Sequence, residues 1–535
     1  MKMLWMSLLT LVMPSQIYVV AFPLRTPKLP TNPPAGLSEA DKEFAKEYLL
    51  HFYGYQPKSE RQRRAAGSSD DVNKKSDKLK EMQQFLGLPP SGKLDKETLA
   101  VMKKPRCGLS DVEPFEHTFR WKNRTLSYRI TEDKLPGPAS EVHKVFKAAW
   151  KLWSRVAQLK FHKHRNKADI VISFNSHDHQ DGTPFDGKGG ILAHAFPPAS
   201  DTGGDVHFDA DEDWSLNSTG LSLFAVAVHE FGHALGLYHS PDPGAIMYPV
   251  YNSPPKNKLQ LSYRDVKDIQ RLYGASPKYA LLKKLPPRTP HKCDQDLSFD
   301  AVTELQQEIV FFKGRFMWRK HPQFTETRIT LINSLWPDAV PSNLDAVYEN
   351  VEGNFLVFFK GHQYWKMVQS KVKEGFPRKI SDFGFPSRIK SVDAALHFRN
   401  ERYTVFFTGQ ECWRYNEQQS RMEGSPVPIE QEWPGIPTPI DAAVFHEGFV
   451  HFFKRNLHFQ YDFVWKRIIS TSSTSDLLEC HLETNKESYA EKRKLQDGPK
   501  WSFMMKRLCV NKHSYRITTT CEIQNRELMN KLRKW

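Results

Sequence analysis

Apolar and polar positions change rhythm several times along the chain, and each change marks a different element. Residues 4–20 are mostly apolar, follow Lys2 and precede the small residue Ala21; the run is broken at Pro14 and too short to span a bilayer, which predicts a secretory signal peptide. After a Pro-rich leader over 23–34, Ser38-Glu-Ala-Asp41 opens a helical pattern to Leu50, and a second over 78–86 stops at Gly87, predicting a small helical module. Beyond Thr125 the pattern mixes strands (126–130, 170–174) with helices (141–159, 221–237), as one α/β domain would to about Gly274. Residues 276–291 carry four prolines and read as a linker.

The chain then repeats itself. Asp300-Ala-Val, Phe311-Phe-Lys-Gly314 and Trp318 recur as Asp345-Ala-Val, Phe358-Phe-Lys-Gly361 and Trp365, as Asp393-Ala-Ala, Phe406-Phe-Thr-Gly409 and Trp413, and then as Asp441-Ala-Ala with Phe452-Phe-Lys454, the aspartates 45, 48 and 48 residues apart. Aromatic, strand-like units of that period predict a four-bladed β-propeller. Cys293 precedes the first unit and Cys480 follows the fourth, so closing the ring would bring them together as a disulfide.

Composition narrows the class. With 535 residues, 39% of them hydrophobic, the chain is a multidomain globular protein. Its 76 Lys and Arg against 61 Asp and Glu accompany no recognisable nucleic-acid module, and no later stretch approaches a transmembrane span, so neither nucleic acid nor a transmembrane anchor is expected. Sequons at Asn123 and Asn217 are compatible with secretion.

The chemistry concentrates in His229-Glu-Phe-Gly-His233-Ala-Leu-Gly236-Leu-Tyr-His239. On a helix, His229 and His233 lie one turn apart on one face and can hold one Zn²⁺, with Glu230 beside it as a proton-accepting carboxylate. Gly236 lets the chain break away so that His239 returns as a third nitrogen. Three protein ligands leave a position open, the mark of a catalytic site: zinc acidifies water and polarises a carbonyl, while Glu230 takes a proton and delivers it to the leaving amine. Met247, eight residues past His239, supplies a hydrophobic floor.

With these motifs the chain resembles the secreted matrix metalloproteinases, from its start to Cys480. Pro105-Arg-Cys107-Gly-Leu-Ser-Asp111 resembles the family's cysteine switch, with Leu109 and Ser110 in place of the commoner Val-Pro. The resemblance implies that the Cys107 thiolate fills the open zinc position in the zymogen and that Arg106 pairs with Asp111. It implies a structural zinc on His179, Asp181, His194 and His207. One calcium site would use Asp186, Gly187, Gly189, Ile191, Asp209 and Glu212, and another Asp169, Asp201, Gly203 and Asp205. It gives Ala225, Val226 and Tyr251 as walls of a deep apolar pocket for the residue after the scissile bond, taking Leu, Ile or Met. The basic cluster Arg61 to Arg64 falls in the bait region, and a second cut near Glu113 to Phe115 would complete activation.

The implied organisation is a signal peptide (1–21), a helical prodomain (22–114), an α/β metzincin catalytic domain (115–275), a linker (276–292), a hemopexin-like four-bladed propeller (293–480) and a basic extension (481–535). The expected activity is that of a secreted, latent zinc endopeptidase of the extracellular matrix, with two zinc ions and two or more calcium ions. Matrix proteins would be its substrates and tissue inhibitors of metalloproteinases its partners; a matrix-binding hemopexin-domain protein with negligible proteolysis is the alternative. The extension has 13 Lys and Arg against 6 Asp and Glu, suited to acidic glycans; Cys509 and Cys521 could pair within it, and Cys412 is left without a partner.

Overall fold

The computed structural model describes residues 37–480 except 58–68, 113–118, 199–202, 218–219, 253–258, 281–285, 307, 323–326, 337–339, 369–370 and 400. The signal peptide, basic cluster, second cleavage segment, Asp201, Cys509, Cys521 and the C-terminal extension therefore lie outside the described residues.

The helical module is built from α1 (Glu39–Tyr53), α2 (Ser69–Phe85) and α3 (Lys96–Met102). Ser38 and Asp41 form a reciprocal capping box at the start of α1, and Gly54 ends the helix in a left-handed conformation. α2 begins nine residues before the predicted 78, because its first turns are too polar to show an apolar stripe. Tyr48, Leu49, Phe52, Leu79 and Met82 form the module's core, which also takes in Tyr248 and Val250 from the α/β domain.

The module reaches that domain through β1 (Arg106–Cys107), the edge strand of a six-stranded sheet. The others are β2 (Thr125–Ile130), β3 (Lys160–Lys163), β4 (Ile170–Asn175), β5 (Ile191–Ala195) and β6 (Val206–Asp209), in the order β1-β5-β6-β4-β2-β3. Only the β5–β6 pair is antiparallel. One sheet face is covered by α4 (Ala139–Val156), whose Phe146, Trp150 and Trp153 are buried, and by α5 (Leu223–Ala234). Trp150 stacks on Phe231 of α5 with ring centroids 3.7 Å apart. α6 (Tyr263–Tyr273) closes the domain, capped by Ser262 and Asp265.

The propeller has four antiparallel sheets, whose inner strands are Ala301–Leu305, Ala346–Asn350, Ala394–Phe398 and Ala442–His446. The repeated Asp has a local task. Asp300, Asp345, Asp393 and Asp441 accept the backbone N–H of Gly314, Gly361, Gly409 and Arg455 at 2.5–2.6 Å, tying each inner strand to the turn after the second strand. The repeated Lys pairs with the same carboxylate in three blades, and Thr408 replaces it in the third. Cys293 and Cys480 are disulfide-bonded with Cα atoms 5.1 Å apart, and Cys107 and Cys412 are free and buried.

Candidate metal centres and the groove between them

α5 is capped by Ser222, whose hydroxyl accepts from Ala225 N, and ends at Ala234, three residues short of the predicted 237. The break is forced at Gly236, where φ is +91° and a Cβ would lie 2.0 Å from Phe119 O. His239 then comes back to His229 and His233, with ring centroids 5.3 and 4.7 Å away. Cys107 completes the group: one ligand atom from each of Cys107, His229, His233 and His239 lies within 4.8 Å of the others.

The donor chemistry fits a cation. His229 Nδ1 donates to Ile246 O at 2.6 Å and His233 Nδ1 to Leu237 O at 2.8 Å, which fixes both protons on Nδ1. The two Nε2 lone pairs then face each other at 3.0 Å, an arrangement that repels unless a positive ion accepts both. Burial pushes His229 down to about 3 and His233 well below its ordinary value, so both rings are neutral donors. Glu230 is fully buried, and apart from the Cys107 thiol its oxygens have no hydrogen-bond partner; burial lifts its carboxyl to about 8.

A second group gathers at β5 and β6, which carry His194 and His207. His179 Nε2, His194 Nε2 and His207 Nδ1 all lie 2.7–2.8 Å from Asp181 Oδ2. His179 Nδ1 donates to His177 O, so its Nε2 lone pair faces a carboxylate oxygen, again a set that calls for a cation. Burial pushes His194 down to about 4.

The first acidic set is also drawn together. Burial pushes the Asp186, Asp209 and Glu212 carboxyls up, Asp186 adds to this at Asp209, both add to it at Glu212, and Asp209 Oδ2 is buried without a partner. Gly187 and Gly189 have φ of +82° and +86°, Gly189 N donates to Glu212 at 2.6 Å and Ile191 N to Asp186 at 2.9 Å. In the second set Asp169 accepts from Ser127 and Asp205 from Val171 N, while Asp201 lies outside the described residues.

Beside the first group, residues 105–108 fill a groove. Arg106 N donates to Gly190 O, Gly108 N to Ala193 O, Cys107 N to Pro249 O and Tyr251 N to Pro105 O, at 2.8–3.0 Å. The same edge and wall would take an extended substrate by strand addition. Beside Glu230 opens a cavity of about 300 Å³, lined among others by Ala225, Val226 and Tyr251. Tyr251 Oη accepts from Ser222 N at 3.0 Å, fixing that wall to the start of α5.

Two residues that shape the site carry no motif of their own. A Cβ on Gly232 would lie 2.3 Å from Met247 Sδ, so glycine lets Met247 come up beneath the helix. Asp265, fully buried, accepts from Ile246 N and Met247 N at 2.9 and 3.3 Å and so holds the turn that carries His229's carbonyl partner. Its Ser262-x-x-Asp265 capping box was the available sequence signal.

Comparison with known proteins agrees with this geometry. Residues 120–274 match the matrixin family model, 299–338, 344–387 and 392–438 match hemopexin repeats, and 40–102 match a putative peptidoglycan-binding domain. The chain is 40% identical to matrix metalloproteinase-18 of Xenopus laevis, 39% to human neutrophil collagenase and 42% to interstitial collagenase of Sus scrofa. Each match covers 84% of this chain and 95% of the relative.

Proposed function

The chain belongs to the matrix metalloproteinases, zinc metalloendopeptidases with hemopexin repeats, and on that premise we propose that His229, His233 and His239 hold its catalytic zinc and Glu230 is its proton carrier. The observation that carries the assignment is the pair of Nε2 lone pairs facing each other at 3.0 Å beside a buried, nearly unpartnered carboxylate.

Zinc in this site supplies Lewis acidity toward a water and the scissile carbonyl. Glu230 takes the water's proton as attack begins and passes it to the departing amine, a transfer favoured by a carboxyl lifted toward neutrality. The β5 edge and the 249–251 wall orient the peptide by backbone hydrogen bonds, and Val226, Ala225 and Tyr251 enclose the side chain after the scissile bond. In the zymogen Cys107 blocks both functions, since its thiol lies against Glu230 and among the histidines while its backbone fills the groove.

His179, Asp181, His194 and His207 are assigned a structural zinc. Asp186, Gly187, Gly189, Ile191, Asp209 and Glu212 are assigned a calcium ion, with a second on Asp169, Asp201, Gly203 and Asp205. The domain limits stated from the sequence, the signal peptide, secretion, tissue inhibitors as partners and glycan binding by the basic extension belong to the same proposal. Among the described residues no helix is long and apolar enough to cross a membrane. Substrates are extracellular-matrix proteins, with fibrillar collagen included on the strength of the collagenase relatives.

The test is cleavage of a quenched Pro-Leu-Gly-Leu peptide by the full chain before and after prosegment removal, with zinc content measured in parallel. Activity should appear on removal, vanish with a chelator, and fall at least about a thousandfold in Glu230→Ala with catalytic zinc retained. Glu230→Ala that keeps its activity would overturn the assignment.

A further inference from the structure

The cavity beside Glu230 does not end within its own domain. Its lining continues from Val226 and Glu230 past Gly244 to Pro287 of the linker and Arg315 of the propeller's first blade. Arg315 follows the strand Glu308–Lys313 and precedes Phe316–Lys320, in the turn between them. Its Nη2 donates to Gly244 O at 3.0 Å, which is its one side-chain hydrogen-bond partner among the described residues, though a guanidinium carries five N–H donors.

The approach of blade and pocket is built into both sides. Thr289 Oγ1 donates to Asp242 Oδ1 at 2.5 Å, fastening the linker to the loop that runs from Ser240 to the Met247 turn. A Cβ on Gly244 would lie 2.1 Å from Thr289 Oγ1 and 3.1 Å from Phe316 Cζ, so only glycine admits the linker and the blade this closely. Burial pushes Arg315 down, and the carboxylates of Asp242 and Asp265 oppose that in favour of its cationic form. The cavity is thus lined by apolar side chains such as Leu192, Val226 and Leu259 and by one cation, which the propeller contributes.

We propose that Arg315 is a specificity residue contributed by the propeller, closing the pocket for the side chain after the scissile bond and selecting long side chains that end in a carboxylate. The inference rests on the reading of that cavity as the pocket for the residue following the cleaved bond. It changes the expected preference: Leu, Ile and Met satisfy the apolar walls, whereas a longer chain with an anionic tip gains a charge-assisted hydrogen bond at the end. Selectivity toward short peptides then depends on a domain distant in sequence from the catalytic residues.

The experiment uses the full chain with its prosegment removed and three peptides that differ at the position after the scissile bond: Leu, 2-aminosuberic acid, and the methyl ester of the latter. The wild type should favour the acid over the ester by about tenfold in kcat/KM. Arg315→Gln keeps a donor for Gly244 O but loses the charge, and the ratio should fall to about one; Arg315→Lys should keep part of the preference. If Arg315 is only a strut, Arg315→Gln slows all three peptides by one common factor and leaves the ratio intact, which overturns the proposal, as does a wild-type ratio of one. Failure to cut the Leu peptide between Gly and Leu would instead remove the reading of the pocket itself.

Discussion

Arg106 is only 2% exposed, lies with its guanidinium 3.6 Å from the Phe52 ring centroid, and donates to Asp111 Oδ1 at 2.6 Å. The same Asp111 oxygen is 2.8 Å from His239 Nδ1, so the prosegment loop grips the third histidine as well as presenting Cys107. Burial pushes the Asp111 carboxyl up, but Arg106 and His239 outweigh it and hold it down at about 2. A carboxyl depressed below its ordinary 3.8 stabilises the folded zymogen above that pH, here by on the order of 2 kcal/mol, and loses the contribution as pH falls toward about 2. Asp111→Asn should therefore be less stable than wild type at pH 6, with the deficit reduced to about a third at pH 2.5, in denaturant titrations of both zymogens. An unchanged difference between the two pH values would refute the account. The Arg106–Asp111 pair was legible from the motif, whereas its cradle of Tyr48 and Phe52 was not, because those residues stand more than fifty positions upstream on α1. Ser110, a departure from the family pattern, makes its own bond from Oγ to Phe52 O at 2.9 Å.

Among elements, α5 does the most with the least length. Its apolar residues pack against α4 and the sheet, and Trp153 Nε1 donates to Val228 O at 3.0 Å, which leaves the histidines facing the groove. Gly232 is the weak point by helix propensity and the necessary one by space, since Met247 occupies the volume a methyl group would need. Gly232→Ala should lower stability by about 1–3 kcal/mol despite its better helix propensity, through displacement of the Met247 floor. The same variant should release zinc faster to a chelator; thermal melts and a colorimetric zinc assay read the two effects, and a stabilised variant would show the floor to be slack. The existence and type of α5, α4, β2 and β4 followed from periodicity. The end of α5 did not, because an apolar Leu235 and Leu237 continue the pattern past a turn that Gly236 makes.

On the scale of the whole molecule, the prosegment is held at two ends. One is the groove; the other is the propeller, where Arg319 of the first blade pairs with both Glu97 of α3 and Glu308 of its own blade. Arg328 donates to Gln84 O at 3.1 Å and Lys104 to Asn333 O at 2.5 Å across the same contact. Arg319→Glu places two carboxylates against a third and should loosen this end, so that an activating protease converts the zymogen several-fold faster at equal dose. Conversion followed by gel and peptide cleavage checks it; an unchanged rate would mean that the groove alone holds the prosegment.

What the sequence determined by itself was local or periodic: three histidines one turn and one break apart, a cysteine among its own loop residues, four repeats whose Asp meets the turn after the second strand within each blade, and two cysteines at the ends of a closing ring. Such features follow from helix and strand geometry acting over short separations, or from the symmetry of a repeat. Only the tertiary structure decided that Tyr48 and Phe52 cradle Arg106, that Asp265 suspends the Met247 turn, and that Arg315 joins the lining of the pocket beside Glu230. Those contacts join elements far apart in the chain, and their chemistry is ordinary burial and hydrogen bonding, which leaves no pattern in the sequence until the domains are packed.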